Sequence, residues 1–377
     1  MKILCCTTLP YGDGSGWWGR DLALTVLGFR ALGHDAHLVC YRTSHKEDME
    51  GRPVLLISPA EASSPSWWQS HNPDLVILGL WTRPKYDPVR RAALSATPHV
   101  IERADSDGMR TASCGLVTYA KRRFDYFRDR TYRWPSFLSI PASIFYSFAS
   151  ILATPWIEAR LARTLTLLPA IAVETPHAAN LWKSLVTRLG INPQKIYCIP
   201  HPIQTDIFKS DPAIPKKNQI VSVGRWESYQ KNLPLLLKTL RAFLDKNPTW
   251  TSLVIGSGLP TKSPHPRMTF LPPLSPPDLA RHMLESQIFF SSSRYESFGL
   301  AAAEALCCDC MLVGPFNLEP SKSSQLSSTR PIQSLSQSAL ALRPPNAYFS
   351  NKAVSHYDKL LAPQSVARAL IQTSAHL

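Results

Sequence analysis

A chain of 377 residues is long enough for two domains, each with its own core. Apolar residues make up 44% and charged residues 18%, which excludes a disordered or fibrous chain, and 33 prolines imply many rigid turns. The net charge of +14 is shared by both halves of the chain and suits anionic ligands or an anionic membrane surface; no nucleic-acid reader motif accompanies it, so no nucleic acid is expected as a partner.

Eight cysteines form no disulfide or zinc framework. Cys307 and Cys310, a lone C-x-x-C, read as small apolar fillers, so no metal site is expected. Met1 to Leu9 is too short an apolar run for a signal peptide, and a reducing cytoplasm is the default.

In chain order, Lys2–Cys6 reads as a first strand, Tyr11 to Arg20 as a glycine-rich loop holding Gly14 and Gly16, Asp21–Leu32 as a helix and Ala36–Cys40 as the next strand. This β–loop–α–β opening is a doubly wound signature. The loop is not a clean G-x-G-x-x-G and no acidic residue ends the second strand, so a dinucleotide site is not expected. Asp74–Gly79 and His99–Glu102 read as further buried parallel strands. The loop Arg103 to Gly108 then falls where open α/β sheets place ligands. Within it Asp105 and Asp107 are candidates for orienting an acceptor hydroxyl or a sugar; an Asx-turn or a helix N-cap would use the same residues.

Residues 119–164 combine Lys121, Arg122, Arg123, Arg128, Arg130 and Arg133 with Phe124, Tyr126, Phe127, Tyr132 and Trp134, followed by an apolar run from Ile140 to Ile157. Pro141 and Pro155 interrupt that run, and a spanning helix needs about 20 apolar residues. The pattern suits a peripheral membrane contact at the inner face of a membrane, or an insertion whose apolar side packs on the sheet. Ile171–Val173 and the helix Ala178–Leu189 close the first domain. Pro200 to Phe208 reads as an interdomain hinge stiffened by His201-Pro202.

The second domain begins with the strand at Ile220–Gly224, followed by Arg225, Lys231 and the helix Pro234–Asp245. Ser252–Ile255 and Arg267–Leu271 read as strands, and Pro277–Glu285 as a helix. Ile288–Phe290 is then a short strand, Ser291 to Ser293 end it, and Gly299–Cys308 reads as a helix with no polar face, expected to be buried all round. Its one carboxylate, Glu304, therefore asks for a purpose, because an unpartnered buried charge is costly. Free N–H groups around Phe298, Gly299 and Leu300 make the helix start an anion site, and Glu296 lies in the turn before it. A strand, a carboxylate-bearing turn, an anion-binding helix start and a second carboxylate suit a nucleotide-sugar. In the plain alternative Glu296 is a solvated loop residue and Glu304 pairs with a base.

Ser-x-Tyr-Glu296-Ser-Phe-Gly-Leu-x-x-x-Glu304 resembles the E-x7-E signature of family 4 ("group 1") retaining glycosyltransferases. The resemblance implies the GT-B fold, in which two doubly wound Rossmann-like domains face a cleft. It implies that Glu296 lies near the donor sugar hydroxyls, that Glu304 holds the ribose hydroxyls, and that Gly224, Arg225 and Lys231 neutralise the donor diphosphate. The glycine-rich loop of Gly14 and Gly16 would face the cleft near donor phosphates and acceptor, and the segment with Leu274 would meet the base through its backbone. Such enzymes need neither cofactor nor metal beyond the nucleotide-diphosphate sugar. Where the family usually has Pro-Asn-Gly, this chain has Pro200-His201-Pro202.

The expected organisation is an acceptor-binding domain over 1–207 with an insertion at 119–164, a donor-binding domain over 208–345, and a tail over 346–377 that returns to the first domain. The expected acceptor is a saccharide or lipid-linked glycan of cell-envelope type. Two rival functions use the same residues: a glycoside hydrolase or phosphorylase with Glu296 and Glu304 as acid and base, and a non-catalytic saccharide- or membrane-binding homologue.

Overall fold

Runs of Val, Ile and Leu bounded by glycine, proline and asparagine become central parallel strands, covered on both faces. A computed structural model of the chain describes residues 1–10, 18, 21–42, 51–104, 108–112, 115–315 and 358–377. The described residues group into two compact units. One comprises Met1–Tyr119, Ile151–Gln204 and Leu360–Leu377, and the other Ala120–Ser150 with the described part of Thr205–Lys359.

The first unit is built on β1 (Lys2–Pro10), α1 (Asp21–Ala31), β2 (Asp35–Tyr41), β3 (Val54–Ile57), α2 (Pro59–Ala62), α3 (Pro65–His71), β4 (Leu75–Gly79), α4 (Asp87–Leu94) and β5 (Val100–Ala104). After α5 (Leu116–Arg130), α6 (Ser136–Leu152) and α7 (Thr154–Leu167) come β6 (Ala170–Val173), α8 (Pro176–Arg188) and β7 (Ile196–Cys198). The seven strands run parallel in the order β3-β2-β1-β4-β5-β6-β7. The four residues of β3, and helices α2 to α4, left too short a periodic pattern to be read from the sequence. Ser58 nonetheless caps α2 with a full capping box, exchanging bonds with Glu61.

The second unit carries β8 (Lys217–Arg225), α9 (Leu233–Lys246), β9 (Thr251–Ser257), β10 (Met268–Leu271), α10 (Pro276–Glu285), β11 (Ser286–Phe290), α11 (Leu300–Cys307) and β12 (Met311–Val313). Its strands are parallel in the order β10-β9-β8-β11-β12. The core beneath them is Ile220, Trp226, Leu236, Leu240, Val254 and Phe290 with their neighbours.

Two segments join units that their place in the chain does not announce. The final helix α12 (Pro363–Ser374) buries Val366, Ala367 and Leu370 in the core of the first unit, with Val26 and Phe29 of α1. Gly28 permits the contact, since a Cβ there would lie 2.2 Å from the Pro363 carbonyl oxygen. The stretch 120–150 belongs with the second unit. Its helix α6 buries Ser139, Ser143, Ser147 and Ser150 and exposes Phe137, Ile144, Phe145 and Phe148. The apolar side of α6 therefore does not pack on a sheet, whereas Leu161 and Leu165 of α7 are buried against Ile171 and Val173 of the first sheet. Among the described residues no single helix is long and apolar enough to cross a membrane; α6 and α7 pass that test only as a pair bent by 63°.

Candidate active site

In the second sheet, β8 leads through α9 to β9 on one side, while β11 lies on its other side. The chain thus reverses direction across the sheet between β8 and β11, and the loops after these two strands face each other at their carboxyl ends. This is where open α/β sheets place ligands.

The two loops are bound together by backbone and side-chain hydrogen bonds. Arg294 N donates to Gln230 O at 2.8 Å. Gln230 Nε2 donates to Tyr295 O at 2.9 Å, and Ser292 Oγ donates to Lys231 O at 2.7 Å. The Arg294 guanidinium reaches Asn232 Oδ1 at 3.1 Å and lies 4.1 Å from the Tyr229 ring centre. Held by this lacing, Lys231 Nζ donates to Glu296 Oε1 at 2.5 Å, with the side chains 20% and 10% exposed. The lysine stem passes over Gly224, where a Cβ would touch its Cγ and Cδ at 3.4 Å. The structure thus brings Gly224, Lys231 and Glu296 together.

Just beyond Glu296, α11 begins at Gly299, whose φ of 80° is left-handed backbone that glycine adopts without strain. Its N-cap is glycine, so no side-chain cap bond closes this helix start. Phe298 is buried at 3% and anchors the turn. The expectation that α11 is buried all round is corrected: Leu300, Ala301 and Glu304, one helical face by their spacing, are only half-buried, while Ala302, Ala303, Ala305 and Leu306 fill the core. Glu304 therefore carries less of the desolvation cost that a fully buried carboxylate would.

Arg225 ends β8 with an exposed side chain, and Leu274 is half-buried in the loop between β10 and α10. Gly14, Gly16, Asp105 and Asp107 lie outside the described residues. Cys310 is buried and its thiol lies 3.0 Å from Met283 O. Among the described residues no group of three or more metal-type ligands converges.

Three features of the two units escaped the sequence reading. The first is the attachment of α5 to the loops after β8 and β11: Asp129 Oδ1 accepts from Ser228 Oγ at 3.0 Å and from Gln230 N at 3.1 Å, and the Arg122 guanidinium lies 3.6 Å from the Tyr295 ring centre.

The second is a buried cluster at the carboxyl ends of the first sheet. His201 is 4% exposed, and its Nδ1 lies 2.9 Å from Asp21 Oδ1 and 3.0 Å from Arg103 Nη2. One ring nitrogen makes one such bond, donating to Asp21 when protonated and accepting from Arg103 when not. His201, in the segment read as a hinge, is thus a polar anchor within the first unit.

The third is Glu102, fully buried on β5, which accepts from Arg90 Nε at 2.6 Å, Arg90 Nη2 at 2.7 Å and Thr82 N at 2.5 Å. The amide bond holds Thr82 at φ 51°, an unfavourable region for a β-branched residue. The reading of His99–Glu102 as a buried parallel strand was the one signal of its burial.

Residues 203–314 match the family model "Glycosyl transferases group 1", a span containing Gly224, Arg225, Lys231, Leu274, Glu296, Phe298, Gly299, Leu300 and Glu304. None of the curated proteins matches the sequence. The fold is shared with HepE of Anabaena, solved in complex with UDP and glucose, at 12% identity and a TM-score of 0.58, covering 100% of both chains. It is shared with sucrose-phosphate synthase of Thermosynechococcus elongatus at 14% identity and a TM-score of 0.55, covering 100% of this chain and 94% of that one. The catalytic domain of starch synthase IV from Arabidopsis thaliana, bound to ADP and acarbose, aligns at 12% identity and a TM-score of 0.54, covering 99% of both. The resemblance to group 1 glycosyltransferases and the GT-B architecture expected from it are borne out.

Proposed function

We propose that this chain is a retaining glycosyltransferase that moves a sugar from a nucleotide-diphosphate sugar to an acceptor hydroxyl. The observation that carries the reading is the Lys231–Glu296 pair, set between β8 and β11 and directly before the uncapped start of α11. Until a donor arrives the two charges neutralise each other, so neither is left unpaired in a partly buried place. An ammonium has three donors, so Lys231 can keep Glu296 and still meet a phosphate oxygen. The N–H groups around Phe298, Gly299 and Leu300 add partial positive charge at the same place.

In this reading Glu296 accepts from hydroxyls of the donor sugar and Glu304 from the ribose. The bond between the anomeric carbon and the diphosphate oxygen breaks, and its electron pair leaves with the diphosphate. Lys231 and Arg225 meet the growing negative charge, which makes departure easier and asks for no metal. The acceptor oxygen bonds to the anomeric carbon on the same face, and its proton passes to the departing phosphate oxygen. The segment of Leu274 meets the base, and Gly14, Gly16, Asp105 and Asp107 are assigned to the donor phosphates and the acceptor. The family match over 203–314 and the UDP and glucose held by HepE support a hexosyl donor. A saccharide or lipid-linked acceptor of cell-envelope type, used on the cytoplasmic side of a membrane, fits the basic surface charge.

The test is incubation with UDP-, GDP- and ADP-hexoses, measuring release of the nucleoside diphosphate and the anomeric configuration of the product by NMR. A matched nucleoside diphosphate at a hundred times its dissociation constant should also stabilise the fold by about 2.7 kcal/mol. If no nucleoside diphosphate raises the melting temperature and no sugar moves, the reading fails.

A further inference from the structure

Helix α6 is built inside out for a surface helix in water. Its seventeen residues, Ser136–Leu152, include no charged side chain. Ser139, Ser143, Ser147 and Ser150 recur at every third or fourth position and are 0–7% exposed. They turn inward, where the Ser147 hydroxyl donates to Ala120 O at 2.6 Å and the Ser139 hydroxyl meets that of Thr131 at 2.6 Å. The opposite face carries Phe137, Ile144, Phe145 and Phe148, which are 75%, 59%, 73% and 60% exposed. A helix that meets water places these two classes the other way round, and a continuous apolar stripe of this kind marks an interaction surface.

The chemistry around the stripe says what it meets. Trp134, 53% exposed, stands at its amino-terminal end, next to Arg133 and Arg130, both exposed. Aromatic and basic residues flanking an apolar face are the pattern of the headgroup layer. Between Lys121 and Arg133 lie six basic residues and two acidic ones, Asp125 and Asp129. Both carboxylates are engaged inside the unit, Asp125 with Lys121 at 2.7 Å and Asp129 with the Ser228–Gln230 loop. Arg122, Arg123 and Arg128 are half-buried against Tyr295, Tyr146 and Tyr229, so the outward positive charge is that of Arg130 and Arg133, which stand beside the apolar stripe; together they complement an anionic lipid surface.

We propose that the α5–α6 hairpin docks on an anionic bilayer, with the exposed face of α6 lying in the interface and not crossing it. Docking would also carry the sugar-transfer site with it, since α5 grips both loops of that site: Asp129 holds the loop before Lys231, and Arg122 covers the ring of Tyr295 beside Glu296. The docking rests on the exposed face alone; its bearing on transfer rests on the function proposed above.

The experiment is sedimentation of the full chain with vesicles of phosphatidylcholine containing 30–40% (roughly) phosphatidylglycerol, against pure phosphatidylcholine. The wild type should pellet with the anionic vesicles and much less with the neutral ones, and binding should weaken with added salt. Phe145→Glu/Phe148→Glu, and the milder Phe145→Ser/Phe148→Ser, should lose at least about tenfold in vesicle affinity. Circular dichroism melting should remain that of the wild type, since both side chains are solvent-exposed. Equal binding to neutral vesicles, binding retained by both double variants, or lipid-free self-association that these variants abolish would each overturn the proposal. Nucleoside diphosphate binding, followed separately by calorimetry, reports on the sugar-transfer reading whichever way the vesicles behave.

Discussion

Lys231 Nζ and Glu296 Oε1 meet at 2.5 Å across 65 residues of sequence, and each is delivered by a loop that the other loop holds in place. Glu296→Gln keeps the size of the side chain and removes its charge. Transfer should fall by at least about a hundredfold, or roughly 2.7 kcal/mol of barrier, with little change in melting temperature. Lys231→Ala should weaken nucleoside diphosphate binding by roughly ten- to a hundredfold, the worth of one hydrogen bond between charged groups. Calorimetric titration and initial rates check both; normal turnover in Glu296→Gln would remove Glu296 from the site.

Arg90 and Glu102 form a fully buried ion pair that also fixes the Thr82 amide, and Arg90 reaches Asp87 Oδ1 at 2.8 Å. Removing Glu102 leaves the buried Nε and Nη2 of Arg90 without acceptors and Asp87 as its one remaining carboxylate. Glu102→Ala should therefore cost about 3–5 kcal/mol, measured by urea unfolding. A loss below about 1 kcal/mol would mean that water reaches Arg90 when its partner is gone.

Gly28→Ala tests the seating of the last helix. The added methyl meets the Pro363 backbone and not a flexible side chain, so α12 must shift. Amide exchange at Val366, Ala367 and Leu370 should accelerate, with an overall cost of about 1–3 kcal/mol from overpacking. Unchanged protection of α12 would show that α1 yields instead.

The thiols divide by burial. Cys307, Cys308 and Cys310 are buried, and burial pushes each thiol up, Cys310 to about 12. The thiolate is the reactive form, so near pH 8 these three stay protonated and shielded. Cys198 is exposed. Peptide mapping after brief alkylation of the native protein should find Cys198 modified and the 307–310 group modified only after unfolding.

An apolar run such as Leu75–Gly79 was legible as a buried strand because a parallel sheet covered on both faces leaves no alternation to misread. Glu296, the Phe298-Gly299 pair and Glu304 were legible as candidates because a turn, a glycine at a helix start and a carboxylate one turn on form a local pattern of residue type and spacing. The half-exposure of Glu304 was not, since an all-apolar helix sequence does not say which face its neighbours leave open. Nor were Gln230, Ser292, Arg294 and Asp129, whose roles are hydrogen bonds to backbone atoms of distant loops and need only a polar side chain of the right reach.

What the sequence alone determined is the alternation of strands and helices, the two doubly wound halves, and the identity of the charged groups that meet at the second sheet. Periodicity encodes the elements, Glu296 stood out by its place before a helix start, and Lys231 was identified through the resemblance to group 1 glycosyltransferases. Tertiary structure decided which unit owns residues 120–150, which side of α6 is left bare, and how Lys231 reaches Glu296. Those outcomes depend on hydrogen bonds and packing between segments far apart in the chain, and no local pattern records them.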